Sequence, residues 1–249
     1  MKLFRCSSLH KLIGDAQSIA SGLRNEEVDT LIRKKKRTDE EESLIRKLKT
    51  MSLSGTAISE IRKIAKEDLT NTRKFKGNVA TEKGNLLEKM AIELSGKMRF
   101  CKFTKHVGRV SNDLITGECD VWDKSNRMIL DTKCSQDIDT HPWFADEALE
   151  KVKDAGYDVQ MQAYMWLYDC DVAHVDFWLL PTPAELLKDW DDIEYLVHAV
   201  EAIDIRDRLT TVIIERDEAI IQKIKDKIPH CQEYYAKLMV ERSKGVKAA

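Results

Sequence analysis

Apolar residues recur at spacings of three and four along 78–96, where Leu86, Leu87, Met90, Ala91 and Leu94 form one helical face with Glu88 among them. The same spacing predicts a helix over 54–69, marked by Ile58, Ile61, Ile64 and Ala65, and another over 217–242, in which Pro229 is the breaking residue. A more charged helix is expected over 25–50, anchored by Leu31, Ile32, Leu44, Ile45 and Leu48. A short one should run through Leu9, Leu12 and Ile13, capped by Ser7 or Ser8 and ended by Gly14. The period then changes. Residues 97–107, 114–123, 127–133 and 172–180 read as strands, as does 209–215. Helices are expected over 159–168 and, after Pro181-Thr182-Pro183, over 184–198. This order predicts an α/β (α+β) fold, a central mixed sheet flanked by helices. No repeat period and no linker signal breaks the chain, so 1–249 reads as one domain: a helical region 1–76, a core 77–183 and a helix-strand-helix part 184–249.

Composition narrows the class. A chain of 249 residues with 43% hydrophobic and 34% charged residues can bury a sizeable core and is not disordered, collagenous or membrane-spanning. The net charge of -2 averages two unlike halves: residues 1–109 carry +11 and residues 110–249 carry -13. One half can face a polyanion while the other gathers carboxylates. The run Arg33-Lys34-Lys35-Lys36-Arg37 reads either as a solvated face or as a phosphate-tracking arm. The six cysteines have no metal-finger spacing and are expected as reduced thiols. No apolar run has the length of a signal core or membrane span, so a cytoplasmic protein without a membrane partner is expected.

The candidate chemistry is concentrated in Glu118-Cys119-Asp120-Val121-Trp122-Asp123 and Ile129-Leu130-Asp131-Thr132-Lys133. Residues two apart on a strand share a face, so Asp131 and Lys133 project together. A hairpin through Lys124-Ser125-Asn126 brings Asp120 across from them. Two carboxylates so placed repel unless a cation separates them, and Mg2+ or Mn2+ takes such oxygen ligands together with water and phosphate. An ion of that kind activates water and stabilises charge on a phosphoryl oxygen, and a lysine beside it can hold the nucleophile. These are the parts of a phosphodiester hydrolase. A surface ion pair is the plainer reading of the same residues. Against it stands Glu88 on an apolar helix face, an expensive place for an unpartnered carboxylate. The amides of Gln160-Met161-Gln162-Ala163-Tyr164 lie on a helix downstream.

Glu88, Asp120, Asp131-Thr132-Lys133 and Gln160-Met161-Gln162-Ala163-Tyr164-Met165-Trp166, in that order, resemble the motifs of the PD-(D/E)xK nuclease superfamily. The resemblance is greatest to its phage lambda exonuclease and YqaJ-like viral recombinase branch. Phe4 to Ile13 is similar to that branch's N-terminal Arg/Ser segment, and Ala173 to Pro183 to its strand and Pro turn after the Gln motif, so the likeness covers 4–14 and 77–183. Two departures weaken the motif: Cys119 replaces Pro before Asp120, and Thr132 follows Asp131.

The resemblance implies a restriction-endonuclease-like core. Asp120 and Asp131 would bind metal, with the Thr132 backbone carbonyl as a further ligand and Glu88 supporting through water. Lys133 would activate the nucleophile, Gln162 would position water or phosphate with Gln160 and Tyr164 beside it, and Arg5 and Ser8 would receive a 5′-phosphate. It further implies Mg2+, replaceable by Mn2+, and 5′-to-3′ digestion of one strand from double-stranded DNA ends. A ring trimer, a single-strand annealing partner and phage-type recombination in an infected or prophage-carrying bacterial cell follow from the same source. A structure-specific or restriction-type endonuclease on the same core, or a DNA-binding subunit with a relic site, are the alternatives.

Among the remaining residues, His106, His141, His174 and His198 share no ligand spacing. Trp143 and Phe144, in the loop-like stretch 137–156, read as loop packing or as a wedge against a DNA end.

Overall fold

The computed structural model describes residues 1–73, 77 and 79–244. It begins with strand β1 (Phe4–Arg5), a 3-10 turn (Cys6–Ser8) and helix α1 (Leu9–Leu12). The charged region splits into α2 (Glu26–Arg33) and α3 (Asp39–Met51) instead of forming one helix. The break has local causes. Thr38 and Glu41 close a capping box that starts α3, and Arg37 turns back to donate to the carbonyls of Leu31 and Ile32. Lys34 and Arg37 pair with Glu41 and Glu42, so part of the basic run is spent on local structure. Ser54 caps α4 (Gly55–Thr70), and α5 spans Val79–Met98; residue 78, where its start is expected, lies outside the described residues.

The stretch expected as a strand over 97–107 is irregular after α5 ends, because alternation there buries little beyond Phe103. Gly96 permits its course: a Cβ at that position would lie 2.8 Å from the Cys101 carbonyl oxygen and 2.9 Å from the Phe103 nitrogen. Strands β2 (Val110–Ser111), β3 (Ile115–Gly117) and β4 (Val121–Asp123) follow, so the expected strand 114–123 is interrupted at 118–120. Strand β5 covers Met128–Cys134. Helix α6 (Ala145–Asp154) occupies most of the expected loop; Ala148 and Val152 bury one side, and Glu147 reaches back to the Phe144 N–H. Helix α7 (Tyr157–Tyr168) and strand β6 (Val172–Trp178) come next. In place of a helix over 184–198 there is a 3-10 turn (Ala184–Leu186), then a helical stretch Glu194–His198 continuing as α8 (Ala199–Ala202). Asp191 and Asp192 accept from the backbone N–H groups of Lys188 and Tyr195, ending one turn and capping the next. Strand β7 (Leu209–Glu215) matches the expected bounds, and α9 (Glu218–Lys244) continues through Pro229.

The chain divides into two compact units. One takes Met1–Lys74, Ser111–Thr116 and Glu218–Ala249; the other takes Phe75–Val110 and Gly117–Asp217. In the first, α9 packs on α1, α3 and α4, and β1 runs parallel to β3 with Phe4 opposite Ile115. Lys227, buried, donates to the carbonyls of Lys49, Thr50 and Ser52, where a cation caps the end of α3. The C-terminal helix therefore groups with the front of the chain, whereas the division read from the sequence set 184–249 apart.

The second unit holds a mixed four-stranded sheet of order β4-β5-β6-β7, in which β5 and β6 are parallel and the outer pairs antiparallel. Helix α5 covers the face bearing Trp178, where Leu87 and Ala91 pack. On that face Asp176, fully buried, receives two bonds from Arg99, at 2.8 Å each, and one from each hydroxyl of Ser95 (2.6 Å) and Thr211 (2.7 Å). The network ties α5 to β6 and β7. Helices α6 and α7 link the parallel strands β5 and β6, and the Tyr157 and Phe177 rings meet at 6.4 Å.

Candidate active site

The β4–β5 hairpin pairs Val121 with Leu130, Trp122 with Ile129 and Asp123 with Met128. Asp120, at the bend before β4, therefore faces the end of β5 that carries Asp131, Thr132 and Lys133. Its Oδ2 accepts from the Thr132 N–H at 2.6 Å and the Thr132 hydroxyl at 2.8 Å, and its carbonyl accepts from the His106 N–H at 2.7 Å. Asp131 is 3% exposed, and its Oδ2 is paired with the Lys133 ammonium. Lys133 keeps about a quarter of its side chain exposed (27%), with Nζ 4.8 Å from the Tyr157 ring centre.

These residues border a cleft of about 450 Å³ whose wall includes Glu88, Asp120, Thr132 and Lys133. The start of α5 supplies Thr81, Gly84 and Asn85, and Thr140 and Lys151 complete the lining. Glu88 is engaged with Lys105, which its carboxylate holds above the usual lysine range despite the opposing burial. Burial, with Asp120 and Glu88, pushes the Asp131 carboxyl up against the pull of Lys133. For Lys133 burial works against the charge, yet Asp131 and Asp120 outweigh it and keep the ammonium protonated. Lys83, just beneath the cleft wall and 1% exposed, donates to the Gln136 carbonyl at 2.8 Å; burial pushes it down to about 8.

The structure thus brings Glu88, Asp120, Asp131, Thr132 and Lys133 together, and leaves others out. Gln162 is bound at both ends: its amide nitrogen donates to the Glu215 carbonyl at 2.7 Å and its oxygen accepts from the Asp217 N–H at 2.8 Å. It anchors β7 to α7, away from the cleft wall. Gln160 donates to the Tyr164 hydroxyl at 3.1 Å, one turn along from Tyr157, and both are buried. Arg5 and Ser8 belong to the first unit, where the Ser8 hydroxyl donates to the Arg5 carbonyl at 3.0 Å. Trp143 is a loop-packing residue, donating to Ile138 and stacking edge-on against buried His141, whereas Phe144 is 67% exposed.

Lys151 and Tyr157, which line the cleft, and Lys105, which pairs with its Glu88, are not singled out by the sequence. Tyr157 had a signal, lying three residues before Gln160 on the same helix, but Lys105 and Lys151 sit in segments read as a strand and as a loop.

Among the described residues no group of three or more His, Cys, Asp or Glu side chains closes around a point suited to a metal. A hard dication needs fewer, one or two carboxylates with carbonyl and water oxygens. Asp120, Asp131 and the Thr132 carbonyl offer that donor class, and the buried Asp131 oxygen already sits against a cation, the Lys133 ammonium.

No protein-family model and no curated protein matches the chain. Among solved structures, the phage-related exonuclease from Haemophilus somnus 129PT is 44% identical, with a TM-score of 0.82 over 97% of this chain and 96% of that one. The alkaline exonuclease LHK-Exo from Laribacter hongkongensis shares the fold at 17% identity, with a TM-score of 0.53 over 78% of this chain and 88% of that one.

Proposed function

This chain belongs to the phage-related, lambda-exonuclease-like nucleases of the PD-(D/E)xK fold, and we propose on that premise that it is a Mg2+-dependent exodeoxyribonuclease working from the 5′ ends of double-stranded DNA. The observation that carries the reading is the placement of Asp120, Thr132 and Lys133 at one cleft, with the buried Asp131 behind them paired to Lys133. In this reading Asp120 and Asp131 hold the ion with the Thr132 carbonyl, and Glu88 supports it through water. Bound there, Mg2+, or Mn2+ in its place, lowers the pKa of a water and stabilises charge on the scissile phosphate. Lys133, kept charged by its carboxylate neighbours, donates to the attacking water or a phosphate oxygen. Thr132 fixes the Asp120 carboxylate through two bonds. Gln160, not Gln162, is the amide on the Tyr157 side of α7, and Lys151 adds positive charge to the cleft. Arg5 and Ser8 are proposed to receive the 5′-phosphate.

The resemblance supports a ring trimer and a single-strand annealing partner in phage-type recombination, inside the bacterial cytoplasm. No helix among the described residues is long and apolar enough to cross a membrane.

The experiment uses linear duplexes with a phosphate at one 5′ end and label at either strand end, in Mg2+ or EDTA, beside a covalently closed circle. Release from the phosphorylated 5′ end in Mg2+ alone, with the circle intact, is expected. Cutting of the circle would establish an endonuclease instead, and no hydrolysis at all would favour a relic site.

A further inference from the structure

Segment 101–106, whose His106 N–H bonds to the Asp120 carbonyl, and β4, which follows Asp120, open a second depression of about 720 Å³ on the same unit, lined by Lys102, Phe103, Trp122 and Lys124. Three features of this groove point to a ligand. Phe100, between the lining residues Arg99 and Cys101, is 100% exposed and holds φ at +53°, in the left-handed region that a bulky side chain adopts at a cost. The end of α5 demands this conformation: the Phe100 and Cys101 N–H groups bond back to the carbonyls of Lys97 and Gly96. Glycine is the residue that stability would place there. Lys124 Nζ stands 4.0 Å from the Trp122 ring centre, while His106 and Tyr168 brace that ring edge-on at 5.7 and 5.0 Å. Finally, Lys97 to Arg109 holds five Lys and Arg residues and no acidic one. Arg99 is committed to Asp176 and Lys105 to Glu88, and Lys102 is exposed on the groove. The acidic residue of the groove, Asp123, is tied into the β4–β5 turn by Ser125 and Asn126.

A strained, solvent-facing aromatic, a braced indole with an ammonium above it and a lysine along one wall suit a flexible polyanion with flat apolar rings. We infer that this groove seats single-stranded DNA leading away from the cleft, with bases stacked on Phe100 and beside Trp122 and phosphates held by Lys102 and Lys124. The inference rests on the proposed function for the origin of that strand. Charge complementarity and aromatic exposure select this occupant over a protein segment.

The test is fluorescence anisotropy of a labelled oligo(dT) with the full chain in EDTA, using wild type, Phe100→Gly and Lys124→Glu, with melting temperatures recorded. Both variants should bind at least about tenfold more weakly, consistent with about 1–3 kcal/mol per stacked base. Phe100→Gly should melt at or above the wild-type temperature, since glycine relieves the left-handed backbone, so weaker binding cannot come from misfolding. Affinity within about twofold of wild type in both variants, or no binding by the wild type, would overturn the inference. So would a changed oligomeric mass by light scattering with binding intact, which would make the groove a subunit contact. Lys133→Ala separates the two readings: it should lose hydrolysis in Mg2+ and still bind oligo(dT). Full hydrolysis by that variant would sink the proposed function while the binding data continued to judge the groove.

Discussion

Asp131 and Asp176 are buried carboxylates on neighbouring strands of one sheet, and their surroundings differ in kind. Asp176 is saturated: Arg99 meets both of its oxygens and the hydroxyls of Ser95 and Thr211 complete the set. Asp131 meets one partner, the Lys133 ammonium, and has its carboxyl pushed up by burial and by Asp120 and Glu88. A buried carboxylate costs several kcal/mol unless it is satisfied; four bonds from three side chains do that for Asp176, whereas Asp131 relies on one ammonium, Lys133, that itself lines the cleft. The contrast separates a carboxylate that holds the protein together from one held at the site.

The sharpest way to break the comparison is at Lys133. Lys133→Ala should lower the hydrolysis rate by at least about 10³-fold, roughly 4 kcal/mol, and also lower the melting temperature because Asp131 stays buried without its ammonium, a stability loss that Lys133→Ala with Asp131→Asn should largely recover without restoring activity. Rate and melting curves read both. On the structural side, Arg99→Met should cost about 3–5 kcal/mol in denaturant unfolding because Asp176 stays buried without its cation, and Arg99→Met with Asp176→Leu should recover much of that. If the single variant were as stable as wild type, Asp176 would not be the structural member of the pair.

Smaller effects sharpen the account. Lys83 is charged at neutral pH in a buried place, with its pKa down at about 8 from 10.5. Between those values the folded protein has released a proton that the unfolded chain keeps, so wild-type stability should rise with pH through that window. Lys83→Met should therefore stabilise by about 1–3 kcal/mol at pH 7, with the gain fading toward pH 10.5. Thermal melts at pH 7 and 10 check the sign. Gln162→Ala should cost about 1–2 kcal/mol through the freed Glu215 carbonyl and Asp217 N–H. Its kcat should change by less than about twofold; a larger loss would return Gln162 to the cleft.

Much of this was legible where the signal is local. Period-two spacing placed Asp131 and Lys133 on one face, and a hairpin through 124–126 brought Asp120 to them, as the register confirms. The bounds of β7 were readable from its apolar run. What escaped depends on partners distant in sequence. Interruption of the 114–123 strand, the break between α2 and α3, and the splitting of 184–198 follow from turns and caps that compete with propensity. Helix α6 shows only Ala148 and Val152 as buried residues within a charged sequence, too few to stand out. Gln160 and Gln162 look equivalent on paper; two residues along a helix turn them about 200° apart, and β7 decides which is consumed.

Under the proposed function, Asp131 completes a cation site with Asp120. Calorimetric titration of Mn2+ into the wild-type protein, Asp131→Asn and Asp176→Asn tests it directly, provided each variant's folding is confirmed by its melting curve. Wild type and folded Asp176→Asn should bind with comparable affinity, and Asp131→Asn at least about tenfold more weakly. Equal affinity in wild type and Asp131→Asn, or no binding by wild type, would contradict the account.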